Sequence, residues 1–390
     1  MRRVRLKEIG TFYSGLSGKS KSDFSEGNAL LVTYRNIFNN PVLNPAIKDT
    51  VVVGKDEKQN EVLWGDILVT GSSETPADAG MSSVVLFTPQ EKMYLNSFCF
   101  GFRLNDMNEV LPSYIGHLLR STFIRAAISK TAFGVTRFNV NRMRFADIEI
   151  PLPPLNIQKE IVSILDSFTS LIDKMKQEVE MRKKQMEYYR EKLMAPQKNW
   201  EIKKLGEIGT FTRGNGLQKS DFRDKGFPCV HYGQIHTYYN TCIYKTKSFC
   251  EEDFAKKLQK ASYGDLLIAT TSEDVKACCK AAVWFGAGDV AYSGDSVCYS
   301  HDQDPKYMAY LFQTEMFAKQ KQKAATGAKV IRVSCESMAS FSFAFPPLVQ
   351  QRQITSILDS FETYISKLEK MIELRQKQYE YYREKLLTFE

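Results

Sequence analysis

Two stretches of the chain place apolar residues three and four positions apart over more than thirty residues. The first runs from Ile161 to Leu193 and the second from Ile354 to Leu386. This spacing predicts two amphipathic helices of about 37 residues, each roughly 55 Å long. A stripe of that length needs a partner, which is either the globular domain that precedes the helix or the other helix. We favour a coiled coil of the two helices.

The predicted helix-pair interface follows the apolar stripe of each helix. It comprises Ile161, Ile164, Phe168, Leu171 and Met175 in the first helix and Ile354, Ile357, Phe361, Tyr364 and Leu368 in the second.

The segment before each helix shows the short apolar runs of β-strands. In the first segment these runs are Leu30–Tyr34, Asp66–Thr70, Ser83–Thr88 and Ser97–Leu104. One helix is predicted from Pro112 to Lys130, because proline is favoured in the first turn, and its counterpart begins at Pro305. The predicted fold class is therefore α+β, with two β-rich α/β domains and two long helices.

The chain repeats itself. LKEIGTF at 6–12 matches LGEIGTF at 205–211, and GDILVT at 65–70 matches GDLLIAT at 264–270, both at an offset of 199. The blocks 153–193 and 346–386 share 24 of 41 residues. A duplication arranged about a pseudo-two-fold axis would make the helices antiparallel, whereas a parallel pair would put both domains on one side. We adopt the antiparallel arrangement.

These motifs resemble the specificity subunits of type I restriction–modification systems over nearly the whole chain. The resemblance is carried by W(x)4LGEIGTF at 200–211, by the GDILVT and GDLLIAT strands, and by the helix starts PLPPLNIQKEIVSILDSF and PPLVQQRQITSILDSF. The first copy lacks the opening tryptophan. The resemblance implies target-recognition domains at 1–150 and 196–345, separated by spacer helices at 151–195 and 346–390.

The resemblance also implies a function. Each domain would read one half of a bipartite target in double-stranded DNA, while the helices set the spacing and dock two methyltransferase subunits. An endonuclease and motor subunit would join them. The chain itself would catalyse nothing and hold no cofactor, since S-adenosylmethionine, ATP and magnesium would belong to the partners. The helices stayed alike between the copies while the domains diverged, which predicts an asymmetric target.

Charge is compatible with DNA binding without proving it. The formal net charge is +8, of which residues 1–150 and 199–345 carry +3 each, residues 151–198 carry +2 and residues 346–390 carry zero. Such a mild surplus can serve phosphate contacts if it is clustered. The alternative function is a coiled-coil protein-interaction scaffold with no DNA readout.

The candidate DNA-binding residues are polar side chains beside motifs that the two copies share, because bases are read by side chains that donate and accept hydrogen bonds. One group flanks a shared Tyr-x-x-Ile, a second follows the GDIL strands, and a third surrounds Gly134 and Gly327. The full set is Arg35, Asn36, Ser72, Ser73, Arg137 and Asn139 in the first copy and His231, Tyr232, Gln234, Thr271, Ser272, Lys329 and Arg332 in the second. A solvated strand end is the alternative interpretation of the first group.

Other chemistry finds little support in the sequence. No CxxC pair or Cys/His spacing indicates zinc, and the eight cysteines are expected to be buried, reduced thiols. No phosphate-binding G(x)4GK[ST] loop or Asn/Asp-Pro-Pro-Tyr/Phe methyltransferase motif occurs, so we expect no catalytic and no metal site. The longest apolar runs are too short for a membrane span, and we expect a cytoplasmic protein.

Overall fold

The structure is a computed structural model and describes residues 2–24 and 26–389. The chain divides into two compact units, and each is described by itself. Unit 1 takes in the residues up to Lys176 together with those from Lys370 onward, and unit 2 is Gln177–Glu369. Among the described residues, none of the helices is both long and apolar enough to cross a bilayer.

Unit 1 holds a mixed set of short strands and helices. Its strands are β1 (Arg2–Arg5), β2 (Gly10–Ser14), β3 (Ala29–Val32), β4 (Thr50–Val51), β5 (Ile67–Thr70), β6 (Ser72–Ser73), β7 (Ser82–Val84), β8 (Met93–Leu95), β9 (Cys99–Leu104), β10 (Ala132–Phe133), β11 (Phe138–Val140) and β12 (Glu149–Leu152). Its short helices are α1 (Leu6–Ile9), α2 (Tyr34–Asn39), α3 (Pro112–Leu119), α4 (Thr122–Ser129) and α5 (Arg142–Ala146). The long helix α6 (Leu155–Leu193) begins in this unit.

Unit 2 repeats this plan. Its strands are β13 (Glu201–Lys204), β14 (Gly209–Arg213), β15 (Phe227–Val230), β16 (Cys242–Ile243), β17 (Ser248–Cys250), β18 (Lys260–Ala261), β19 (Leu266–Ala269), β20 (Thr271–Ser272), β21 (Lys280–Trp284), β22 (Val290–Tyr292), β23 (Ser296–His301), β24 (Ile331–Arg332) and β25 (Ser342–Phe345). Its short helices are α7 (Leu205–Ile208), α8 (Tyr232–Thr237), α9 (Glu252–Ala255), α10 (Pro305–Leu311), α11 (Glu315–Ala324) and α12 (Cys335–Ser340). The long helix α13 (Leu348–Thr388) begins here and ends in unit 1.

The sheets of the two units correspond strand by strand. The order β2-β9-β5-β7 in unit 1 matches β14-β23-β19-β21 in unit 2, where β16 adds an edge strand. The GDIL strands β5 and β19 lie at the centre and are buried on both faces, as their unbroken apolar runs require. The sheet β4-β3-β8 corresponds to β17-β15-β22-β18, and each contains a parallel pair, β3 with β8 and β15 with β22.

The single helix predicted from Pro112 to Lys130 is wrong, because the chain turns at Arg120 and Ser121 between α3 and α4. The half-buried Arg120 guanidinium donates to the carbonyl of Ser82 at 2.7 Å and to those of Ile37 and Phe38 at 3.2 Å. These bonds tie the break to α2 and β7. Pro112 begins α3 as predicted, and α10 begins likewise at Pro305.

The two long helices pair in each unit, and they run antiparallel. In unit 1 the Phe168 ring of α6 stacks on Tyr382 of α13 at 5.5 Å between centroids. In unit 2 Tyr189, a later residue of α6, stacks on Phe361, an earlier residue of α13, at 5.6 Å between centroids. The predicted pairing and its direction are confirmed.

The predicted phase of the helix-pair interface is partly wrong. Ile164, Leu171 and Ile357 are 42%, 40% and 44% exposed. Of the predicted residues, Ile161, Ile354 and Leu368 are buried. The other buried apolar positions are Leu165, Ile172, Val179 and Met186 in α6 and Leu358, Ile365, Tyr379 and Leu387 in α13. Tyr364, although 44% exposed, lies under the Arg182 guanidinium of α6 at 5.4 Å. Met175 and Phe168 are half-buried.

The shift in phase has a physical cause. Each helix packs on its own domain as well as on the other helix, so its buried stripe is rotated toward both neighbours. In unit 1 Ile161, Leu165 and Ile172 join Tyr114 of α3 and Leu387 of α13 in one hydrophobic cluster. The two packing alternatives left open by the sequence therefore both occur.

A buried glutamine in the first turns of each long helix joins that helix to its domain. Gln158 accepts the N–H of Leu111 at 2.9 Å and donates to the carbonyls of Glu109 (2.9 Å) and Pro153 (2.8 Å). Gln351 accepts the N–H of Asp304 at 3.0 Å and donates to the carbonyl of Pro346 and to the Gln303 side chain. Both glutamines are fully buried.

Replacing either glutamine by leucine is expected to destabilise its unit. The substitution leaves one N–H and one or two acceptors buried without partners, which costs about 1–3 kcal/mol for each unsatisfied group. Urea unfolding of Gln158→Leu and Gln351→Leu, with Gln353→Leu as the exposed control on α13, measures the effect. Equal stability of all three variants would contradict this role.

Candidate nucleic-acid interface

In unit 1 the residues after the GDIL strand lie beside those that follow Gly134. Strand β6 pairs antiparallel with β11, which places Ser72 opposite Asn139 and Ser73 opposite Phe138. The Arg137 Nε donates to the Ser72 hydroxyl at 3.0 Å. Four candidate residues that are far apart in sequence therefore share one small three-stranded sheet, β10-β11-β6.

Unit 2 builds the same ribbon from equivalent segments. Strand β20 pairs with β24, which places Thr271 opposite Arg332 and Ser272 opposite Ile331. An Arg332 Nη2 lies 3.9 Å from a carboxylate oxygen of Asp295, and the Thr271 hydroxyl donates to that carboxylate at 3.4 Å. Lys329 is exposed in the turn before β24. The second and third candidate groups thus lie together in both units.

The turn in each ribbon depends on glycine. Gly134 and Gly327 have φ angles of 130° and 103°, in the region that favours residues without a side chain. A Cβ at either position would lie 2.1 Å from the carbonyl oxygen three residues ahead, at Arg137 or Val330. The shared glycines therefore make the turn possible and keep its tip narrow.

The loop that follows each ribbon strand is held by a cation, half-buried in unit 1 and buried in unit 2. In unit 1 the Arg125 guanidinium of α4 donates to the carbonyls of Ala77, Ala79 and Gly80 at 2.6–2.7 Å. In unit 2 the Lys321 ammonium of α11 donates to the carbonyls of Lys276 and Cys278 at 2.9 and 2.8 Å. Burial lowers the pKa of Arg125 to about 10, which still leaves it charged at neutral pH. These cations fix the loops beside the ribbons.

The candidates flanking the Tyr-x-x-Ile motif lie at the starts of helices α2 and α8, so the alternative interpretation, a solvated strand end, is wrong. The Asn36 side chain accepts from Asn40 (2.9 Å) and from the N–H of Asn44 (3.1 Å). Arg35 is exposed and makes no hydrogen bond or ion pair with the described residues. Among the first-copy members of this group, only Arg35 therefore presents a free charge.

The counterparts in α8 serve mostly to cap their helix. His231 is buried, and its Nδ1 accepts the N–H of Gly233 at 3.1 Å. Burial lowers the pKa of His231, which favours the neutral ring that this bond requires. Gln234 accepts the N–H of His231 at 3.0 Å and donates to Ser248 at 2.7 Å. Tyr232 is half-buried, and its N–H donates to Ser293 at 2.9 Å.

Each unit has a polar groove, which includes Phe98 in unit 1 and Asp295 in unit 2. In unit 1 it has a volume of about 650 Å³ and is lined by Lys19, Lys21, Lys48 and Phe98, among others. In unit 2 it has a volume of about 490 Å³, and its charged lining is Arg213, Lys219 and Asp295. Grooves with clustered cations are suited to the phosphates of nucleic acid.

Sequence reasoning missed the groove lysines, although the sequence carries a signal for them. The tetrapeptide KSDF occurs at 21–24 and again at 219–222. In both copies the aspartate accepts the N–H of the residue three before it, Ser20 or Gln218, at 2.7 Å. The repeated turn places Lys21 and Lys219 on the groove, so aligning the two copies through this motif would have found them.

The comparison with known families decides the identity of this pair of units. The family model for the type I restriction modification DNA specificity domain matches residues 1–181 and matches again at residues 197–376. The chain belongs to this family. Two specificity domains in one chain also account for the duplicated ribbons and grooves.

The chain is also similar to curated specificity subunits in sequence and to one solved structure in fold. The chain is 30% identical over 272 residues to a putative type I restriction enzyme specificity subunit, S.HindORF215P of Haemophilus influenzae, covering 66% of this chain and 68% of that protein. It is 30% identical to the EcoR124I/EcoR124II specificity subunit of Escherichia coli, covering 62% and 63%. The crystal structure of the type I restriction–modification S subunit from M. genitalium aligns with a TM-score of 0.54 at 15% identity, over 100% of this chain and 96% of that one. This last likeness concerns the fold.

Proposed function

We propose that the chain is the DNA-specificity subunit of a type I restriction–modification complex, and that each unit reads one half of a bipartite, asymmetric target in duplex DNA. The ribbons β6–β11 and β20–β24 would meet base edges, and the grooves beside them would meet phosphates. The helices would set the spacing and dock methyltransferase subunits, two in number, which an endonuclease and motor subunit would join.

One observation carries this proposal: the same frame occurs twice with different polar side chains on it. Ser72 in the first ribbon corresponds to Thr271 in the second, and Asn139 corresponds to Arg332. The glycine turn and the central sheet stay the same in both units, and each has a cation that holds the neighbouring loop, Arg125 in unit 1 and Lys321 in unit 2. A frame that is kept while its donors and acceptors change is what two readers of different sequences require.

The chemistry of the complex is assigned to the partners. We propose that S-adenosylmethionine, ATP and magnesium bind to the methyltransferase and motor subunits, and that this chain contributes recognition without catalysis. The family assignment supports this division of roles.

Co-expression with the cognate methyltransferase tests the proposal. The complex is expected to methylate adenine within one bipartite motif, which sequencing of modified bases in the host genome would reveal. Binding of the complex to that duplex should weaken steeply as salt rises, because phosphate contacts release counterions. A stable complex with no split motif and no duplex affinity would favour the alternative, a coiled-coil scaffold for other proteins.

A further inference from the structure

The most strongly preorganised side chain on either ribbon is Arg137 in unit 1. Its Nε donates to the Ser72 hydroxyl at 3.0 Å, and Ser72 is itself buried. Its guanidinium carbon lies 5.1 Å from the centre of the Phe98 ring. Ser72 therefore engages the Nε–H, and the Phe98 ring lies against the guanidinium. The two terminal nitrogens make no hydrogen bond or ion pair with the described residues.

The surroundings of Arg137 favour a base edge over a phosphate. Phe98, Phe133 and Val135 are 58%, 57% and 90% exposed on the same ribbon and the adjoining loop. Exposed apolar side chains beside a polar group mark a contact surface, and the floor of a DNA groove offers base-edge donors and acceptors together with the apolar thymine methyl groups. Lys21 and Lys48, which lie on the neighbouring groove, are better placed for phosphates.

Unit 2 has an acidic residue, Asp295, at the position that Phe98 occupies in unit 1. The carbonyl of Phe98 accepts the N–H of Gly71 at 2.8 Å, and the carbonyl of Asp295 accepts the N–H of Thr270 at 3.2 Å, so residues 98 and 295 are equivalent. Asp295 offers a carboxylate to Arg332 at 3.9 Å, whereas Phe98 offers Arg137 only an aromatic face. Arg332, which occupies the ribbon position of Asn139, already has a negative partner, whereas Arg137 has none among the described residues.

We infer that Arg137 reads a guanine in the half-site bound by unit 1, with Phe98 and Ser72 as the residues that position it. The free terminal nitrogens match the paired O6 and N7 acceptors of guanine in the major groove, which is the commonest specific contact of arginine. The inference rests on the proposed function and deepens it by naming one base and its reader.

The test uses the complex with its cognate methyltransferase and compares wild type with Arg137→Ala, Arg137→Lys, Phe98→Ala and Phe98→Asp. Wild type should show one guanine in the half-site of unit 1 at which substitution weakens duplex binding. Arg137→Ala is expected to reduce that discrimination by roughly 5- to 150-fold. Arg137→Lys should restore little of it, because lysine lacks the planar fork.

The positioning role of Phe98 has its own signature. Phe98→Ala should relax the same base pair by about 2- to 5-fold, the size of an exposed cation–π contact, and Phe98→Tyr should rescue it. Phe98→Asp should mimic Arg137→Ala, because it gives the arginine the carboxylate partner found in unit 2. Arg332→Ala is the matched control and should leave the unit 1 half-site unchanged.

The opposing outcomes are distinct. A uniform loss of affinity across all sequences, with a shallower salt dependence, would identify a phosphate contact and overturn the inference. Unchanged discrimination in Arg137→Lys and Phe98→Asp, both of which alter only surface positions, would overturn it as well. If the wild-type complex itself recognised no bipartite motif, the proposed function would fail first and this inference with it.

Discussion

Phe361→Asp is expected to lower the free energy of unfolding by about 2–4 kcal/mol, somewhat less than the loss of a fully buried ring. The Phe361 ring stacks on Tyr189 in the helix pair of unit 2, and a carboxylate placed there loses both this contact and part of its hydration. Phe168→Asp should act equally in unit 1, where Phe168 stacks on Tyr382. Thermal melting and urea titration of both variants measure the loss.

Two controls from the same helices sharpen this experiment. Ile164→Asp and Ile357→Asp change residues one helical turn before the two phenylalanines, at positions that are 42% and 44% exposed. Their expected cost is under about 1 kcal/mol, as for ordinary surface changes. The phenylalanine variants should also assemble less methyltransferase while the motif read stays the same. Equal destabilisation by variants and controls would argue against the buried positions described above.

Exchange of the first domain for that of another specificity subunit is expected to change one half of the methylated motif and leave the other half intact. The sheets, ribbon and groove of the first domain are all formed by residues before Pro153. A boundary at residue 150 would cut β12, which pairs with β1 through Arg3 and Pro151. The junction is therefore best placed at Pro153 and Pro154, between β12 and α6.

The exchange has a clear readout and a clear failure. Sequencing of methylated adenines in cells carrying the chimera and its methyltransferase gives the motif directly. Because Gln158 must still accept the N–H of residue 111, the donor domain needs an equivalent loop before its α3. A change in both halves of the motif would mean that the units do not read DNA independently.

The duplication made the architecture predictable from sequence. Repeated motifs located the central strands β5 and β19, the starts of α3 and α10 at proline, and both long helices. They also located two of the three candidate groups, one directly after the GDIL strands and one around the shared glycines. Such features depend on local sequence and recur in both copies, so one chain provides its own comparison.

The failures arose where tertiary contacts determine the role of a side chain. His231 and Gln234 look like exposed polar readers, but their side chains accept backbone N–H groups at the start of α8 and so cap that helix. Gln234 is held further by a bond to Ser248, fourteen residues away. The helix phase was missed by one residue, at Ile164 instead of Leu165, because the sequence does not reveal that the helix packs on two neighbours. Phe98 was overlooked because its importance depends on Arg137, which only the folded ribbon brings near.

The division of the long helices between the units has a consequence for the order of folding. Unit 2 is one continuous stretch of chain, whereas unit 1 needs Tyr379 and Leu387 from the far end of α13 to complete its hydrophobic cluster. Closing the intervening loop of nearly two hundred residues costs about 2 kcal/mol more than closing one of twenty, because this entropy grows only with the logarithm of length. During synthesis the second unit can therefore fold first. The apolar face of α6 in the first unit stays uncovered until the last turns of α13 have been synthesised.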